Sequence, residues 1–274
     1  MSKISILKKL ALIAAGAMIL PAFAAAEIKM GIILGFTGPI ESLTPDMGSS
    51  AELAFKEASD SGQLLGGQKI SVVRADSTCI DAAAASAAAE RLITSDKVAG
   101  IMGADCSGVT TAIANNVAVP NGVTMISPSA TSPALSTIAD NGYFFRTAPS
   151  DARQGQVLAE ISMERGISQV AVTFTNNDYG KGLSEAFINA YKGLGGKVSA
   201  VVPHEDGKAD YSAEVGALDA SGASILAVFG YVDQGGRHMI QTSIDSGAFD
   251  KFILADGMFG ESLLKNVDGD LSGT

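Results

Sequence analysis

From residue 28 onward the chain alternates short apolar runs with longer stretches whose apolar residues recur at helical spacing. The runs predict strands over 28–34, 70–74, 98–102, 124–126, 170–174, 198–202, 225–229 and 252–254. The stretches between them predict helices over 49–59, 81–93, 109–117, 152–165, 179–194, 211–220 and 236–246. In the first helix Ala51, Ala54, Phe55 and Ala58 fall on one face. The alanine run at 82–89 is strongly helix-favouring rather than disordered. Short apolar strands separated by amphipathic helices imply an α/β protein, with parallel sheets covered on both faces. In such sheets ligands bind beyond the carboxyl ends of the strands, at the helix N-termini. Three predicted strands end in small, polar or glycine-rich turns, at 35–39, 103–108 and 127–131. Plain turn chemistry would also explain each of them alone. The segment 143–147, Tyr-Phe-Phe-Arg-Thr, interrupts the rhythm and is read as a crossing between two lobes.

The first 26 residues carry the three parts of a secretory signal. Lys3, Lys8 and Lys9 are its basic part, 10–20 its uncharged apolar part, and Ala22 to Ala26 its small-residue cleavage region after Pro21. The apolar part is too short to span a bilayer, which needs about 20 apolar residues. Removing those three lysines from 19 basic residues leaves 16 against 29 acidic ones, a net charge of −13. So acidic a chain lacks the basic footprint of a nucleic-acid binder. The two cysteines, Cys79 and Cys106, would form a disulfide in an oxidising compartment; the alternative is a pair of buried free thiols. There is no Cys-x-x-Cys, and His204 and His238 are the only histidines, so no Cys/His metal cluster is expected. Dinucleotide, P-loop and nucleophile-elbow motifs are absent, and neither histidine lies in a candidate strand-end turn. Catalysis and a bound cofactor are not expected.

The turns resemble those of a known family. In order along the chain they are Gly35-Phe-Thr-Gly-Pro39, Asp76-Ser-Thr-Cys79, Gly103-Ala-Asp-Cys-Ser107, Met125-Ile-Ser-Pro-Ser-Ala-Thr-Ser-Pro-Ala-Leu135, Phe145-Arg-Thr147, Asp178-Tyr-Gly-Lys-Gly-Leu183 and Phe229-Gly-Tyr231. This ordered set resembles the branched-chain amino-acid binding proteins of ABC importers. The resemblance implies the type I periplasmic binding protein fold, with two Rossmann-like lobes closing on a small solute. It places a signal peptide at 1–26, a first lobe at 27–146 and a second at 147–274, and it puts a disulfide where Cys79 and Cys106 stand. It further implies a periplasmic location, a membrane permease as partner and no cofactor. Relatives in the family bind amides, urea or aromatic acids, so ligand class follows only loosely. A receptor's sensing domain is the other alternative. The sequence stops near where the family's chain would cross back to the first lobe, so an incomplete C-terminal part is expected.

An amino acid needs partners for its carboxylate, its ammonium and its side chain. The resemblance assigns the carboxylate to Ser107 and Thr131, with backbone help from Ser129 and Ala130. Ser107 also stands where an N-cap would, and capping does not exclude a ligand role. Asp256 occupies the place of the family's acidic amino-group partner, usually Glu. Tyr179 and Tyr231 match cleft-wall positions, although core packing is an alternative for both. Two residues depart from the branched-chain pattern. Leu43 stands for an aromatic wall residue, and Asp105 for an apolar one. An unpaired acid beside an apolar pocket is costly. Asp105 is therefore expected to face solvent, to bind a polar or cationic ligand group, or to meet the ammonium itself.

Overall fold

The computed structural model describes residues 27–269 and 271; the signal-peptide reading of 1–26 lies outside them. Two all-parallel sheets organise the chain. The first contains β1 (Ile28–Leu34), β2 (Ile70–Asp76), β3 (Gly100–Gly103), β4 (Thr124–Ser127) and β5 (Phe144–Arg146), in the spatial order β2-β1-β3-β4-β5. The second contains β6 (Gln169–Thr175), β7 (Lys197–His204), β8 (Leu226–Phe229) and β9 (Phe252–Leu254), in the order β7-β6-β8-β9. The helices are α1 (Thr44–Asp60), α2 (Ala82–Thr94), α3 (Ser107–Ile113), α4 (Asp151–Glu164), α5 (Asp178–Gly193), α6 (Ser212–Asp219), α7 (Gly235–Ser246) and α8 (Glu261–Asn266). Sequential parallel strands joined through helices give the doubly wound arrangement the alternation called for.

Burial explains why these segments adopt these forms. Every residue of β8 is buried, so its apolar run is continuous rather than alternating. In α2, Ala85, Ala89 and Leu92 form the buried stripe, and the Asp81 carboxylate caps the helix by accepting from the Ala83 and Ala84 N–H groups. In α5, Leu183, Phe187 and Tyr191 are fully buried at fourfold spacing. Asn177 caps α5 through the N–H groups of Tyr179 and Gly180, which fixes where Tyr179 leaves the turn. Helices α4 and α5 touch backbone to backbone at Gly155, where an added Cβ would lie 2.5 Å from the Phe187 nitrogen.

Three local readings need correction. Helix α1 begins at Thr44 rather than near 49, because Pro45 in its first turn suits a helix start, having no N–H to lose there. The segment 144–146 is a fifth strand paired in parallel with β4; the chain leaves the first sheet only after Arg146. Ser107 is the first residue of α3 and Cys106 holds the cap position, so Ser107 is not the N-cap. Beyond Ile113 the helix widens into a π-turn over Ala114–Ala118.

Candidate functional site

Both sheets reverse their strand order at one place. In the first sheet the reversal falls between β1 and β3, and in the second between β6 and β8. Crevices beyond the strand carboxyl ends open at such points. Here the two crevices face each other and enclose one cavity of about 310 Å³, at the small end of the range for ligand sites. The first-lobe side brings Ile40 and Leu43 after β1, Asp105, Cys106 and Ser107 after β3, and Ser129 after β4. The second-lobe side brings Tyr179 after β6, Tyr231 after β8, and Asp256, Gly257 and Phe259 after β9. Met47 of α1 completes the wall.

The polar groups differ in what they leave free. Ser107 Oγ accepts from the Ser132 N–H at 3.1 Å, so its own proton remains available to a ligand. Ser129 Oγ donates to the Asp105 carbonyl at 3.1 Å. Thr131 and Ala130 are buried beside the cavity but do not line it. The Ala130 N–H is taken by Ser127 Oγ and its carbonyl accepts from Arg146, so its backbone has no free donor to offer. Thr131 Oγ1 is buried with no hydrogen-bond partner.

Asp105 lines the cavity, yet its carboxylate is occupied from within. Oδ2 accepts from the Gly35 N–H at 2.6 Å; Oδ1 accepts from the Cys106 N–H at 2.9 Å and from Ser77 Oγ at 3.2 Å. The residue is 2% exposed, so the solvent-facing expectation does not hold. Burial pushes its carboxyl up, against those donors. The acid ties together the loops after β1, β2 and β3, which removes the conflict with an apolar ligand side chain. The Cys79–Cys106 disulfide fastens two of the same loops.

Across the cavity, the rings of Tyr179 and Tyr231 stack with centroids 5.2 Å apart. The Tyr179 hydroxyl donates to Asp256 Oδ1 at 2.8 Å and accepts from the Gly257 N–H at 3.1 Å. Burial, then the negative charge of Asp256, pushes the Tyr179 phenol far up, so it stays a donor at any physiological pH. Gly257 admits no side chain: a Cβ would lie 2.6 Å from the Gly230 carbonyl and 2.7 Å from the Tyr179 hydroxyl. Asp256 itself is exposed toward the opening, with Oδ1 engaged by Tyr179 and Gln154. Ile40, Met47 and Phe259 were not singled out by the sequence, and nor were Asp151 and Gln154. Phe259 is 86% exposed and stands at the rim of the cavity. Its closeness to Asp256 and Gly257 was the one signal available.

The sequence model of the periplasmic binding proteins matches residues 27–274. The chain belongs to this family. Among curated relatives, a Leu/Ile/Val-binding protein homolog of Brucella melitensis is 32% identical over 216 residues, covering 77% of this chain and 56% of the relative. An amino acid binding protein of Pseudomonas aeruginosa is 28% identical over 261 residues, covering 95% of this chain and 68% of the relative. Among solved structures, a leucine binding protein of Thermotoga maritima superposes with a TM-score of 0.74 at 27% identity, covering 87% of this chain and 66% of that one. A Rhodopseudomonas palustris solute binding protein in complex with 4-hydroxybenzoate shares the fold, with a TM-score of 0.72 at 21% identity over 85% of this chain and 62% of that one. These relatives are solute-binding proteins rather than enzymes. Among the described residues, no group of His, Cys, Asp and Glu is placed to hold a metal, and no helix is long and apolar enough to cross a membrane.

Proposed function

We propose that the protein is the periplasmic solute-binding subunit of an ABC importer and captures an α-amino acid with an apolar side chain. The lobes would be 27–146 and 147–274, with the cleft between them, and a membrane permease would receive the loaded form. The observation that carries the reading is the polarity of the one cavity. A free hydroxyl donor at Ser107 stands on the first-lobe wall, and an acid at Asp256 stands on the second. Ile40, Leu43, Met47 and Phe259 supply apolar wall beside them. A carboxylate suits the first, an ammonium the second, and an aliphatic side chain the rest. Relatives named for binding leucine, isoleucine and valine support the same ligand class. Thr131, buried beside the cavity, would support the carboxylate subsite from behind.

The stacked tyrosines would also wall an aromatic carboxylic acid, the ligand of one structural neighbour. Such a ligand carries no cation for Asp256, which ranks it second. A thermal-shift panel of L-leucine, L-isoleucine, L-valine, 4-hydroxybenzoate, urea and simple amides separates the readings. A true ligand at 100 times its dissociation constant stabilises by about 2.7 kcal/mol. Stabilisation by the branched-chain amino acids is expected. Stabilisation by 4-hydroxybenzoate, urea or an amide, with none by the amino acids, would reverse the assignment.

A further inference from the structure

Gln154, on α4, grips Asp256, which lies 102 residues further along the chain. Its Oε1 accepts from the Asp256 N–H at 3.0 Å, and its Nε2 donates to Asp256 Oδ1 at 3.1 Å. The same Nε2 donates to Asp151 Oδ1 at 2.7 Å. One amide nitrogen therefore sits between two carboxyl groups. Asp151 is wholly buried, and its Oδ2 has no hydrogen-bond partner. Thr131 adjoins it, accepting from the Asp151 N–H through its carbonyl; its hydroxyl lies near the Asp151 carboxyl and favours the ionised form, without a well-formed hydrogen bond. Three titratable or charged groups act on Asp151: Asp256 in the turn after β9, Arg146 on β5, and Tyr179 on α5. Arg146 spends its guanidinium on the Ala130 and Ser132 carbonyls and on Ser136 Oγ, so it reaches Asp151 only through space.

A fully buried carboxyl, with one oxygen lacking a well-formed hydrogen bond and a second acid one amide away, is poorly arranged to carry its own charge, and the nearby Thr131 and Gln154 donors offset this only in part. Burial first, and the charge of Asp256 second, push the Asp151 carboxyl up to about 7. We propose that Asp151 is a positioning residue of the amino-group subsite, holding Gln154 against Asp256 and keeping a proton that a bound ammonium group displaces. This rests on the amino-acid reading above. The charges balance. Without ligand, neutral Asp151 and ionised Asp256 carry one negative charge. With the ammonium on Asp256, the Asp151 O–H bond breaks and the proton passes to solvent. Two carboxylates and one ammonium then carry the same net charge, so the Asp151–Asp256 pair with its ligand keeps its charge through binding.

The test is titration calorimetry of the intact protein with L-leucine from pH 8 to pH 5, in buffers of differing ionisation enthalpy. At pH 6 and below, close to one proton should be released per leucine bound. Affinity should fall about tenfold for each unit below 7, or about a hundredfold by pH 5. The probe 4-methylpentanoate, which lacks the ammonium, should release none. Asp151→Asn still accepts from Gln154 but cannot ionise; it should show a flat pH profile and no proton release. Carboxyl carbon NMR of the unliganded protein adds a readout that needs no ligand: one signal titrating near 7, lost in Asp151→Asn. Leucine binding with no proton release, and equal pH profiles in the two proteins, would overturn the inference and leave the amino-acid reading standing. No leucine binding, with the carboxyl titration present, would sink the amino-acid reading while supporting the proton on Asp151. Absence of that titration overturns the inference whatever binds.

Discussion

Removing the Cys79–Cys106 bond tests how far the first-lobe half of the site depends on a covalent fastening. The bond joins residues 27 apart in sequence, linking the turn after β2 to the start of α3. Closing a loop of that size stabilises by about 3.5 kcal/mol in the chain-entropy model. The turn it holds is not relaxed. Thr78 and Cys79 have φ of 56° and 67°, a left-handed conformation that non-glycine residues adopt at a cost of about 1 kcal/mol or more each. Gly38 lies against that turn so closely that a Cβ on it would be 2.4 Å from the Thr78 carbonyl. A double Cys79→Ala, Cys106→Ala variant should therefore lose about 3 kcal/mol in urea denaturation. It should also bind ligand more weakly, because Cys106 lines the cavity next to Ser107. Thiol labelling of unreduced, denatured protein should find no free thiol. Two free thiols per chain, or a stability loss below about 1 kcal/mol with unchanged affinity, would refute the reasoning.

Gly257→Ala should displace the Asp256 turn and weaken ligand binding at least tenfold in a calorimetric titration, since its Cβ has no room. Gly216→Ala in α6 meets nothing within 4 Å and serves as the control, with stability raised by about 0.5–1 kcal/mol and binding unchanged. Burial holds the His204 imidazole down to about 4, below its usual 6.5. The native protein then binds fewer protons than the unfolded chain across that window, so this group's contribution is present above pH 6.5 and lost as pH falls through 4. The loss is about 3 kcal/mol. Denaturation of wild type and His204→Gln at pH 7 and pH 4 should show their stability difference shifting by that amount in favour of the variant at pH 4; a constant difference would count against the buried neutral histidine.

The strands were legible because their apolar runs are short, and the turns beyond them were legible because a parallel sheet puts function at its carboxyl end. Ser107, Ser129, Tyr179, Tyr231 and Asp256 do come together around one cavity. What escaped the sequence was set by long-range contact. Gln154 meets Asp256 across 102 residues of chain, and no local pattern records such a pairing. Asp151 stands in the first turn of α4, just before the predicted helix start, where the helix dipole favours an acid; only its complete burial sets it apart. Asp105 was visible as an anomaly, but its partners Gly35 and Ser77 lie 70 and 28 residues away, so its loop-tying part could not be read. The segment 144–146 misled for a different reason. Three residues are too few for periodicity to identify a strand, and pairing with β4 decides it.

The most direct measurement of the amino-acid reading is a two-by-two comparison by calorimetry at pH 8: L-leucine and 4-methylpentanoate, each against wild type and Asp256→Asn. The two ligands differ in the ammonium group alone, and the two proteins in the charge assigned to meet it. Asp256 is open to solvent before ligand arrives, so a coupling toward the low end of the range for close charge pairs is expected, about 2 kcal/mol. Leucine should lose about thirtyfold in affinity in the variant and 4-methylpentanoate almost none. Equal losses for both ligands, or no loss for leucine, would contradict the assignment of Asp256 to the amino group and with it the account of what this cleft captures.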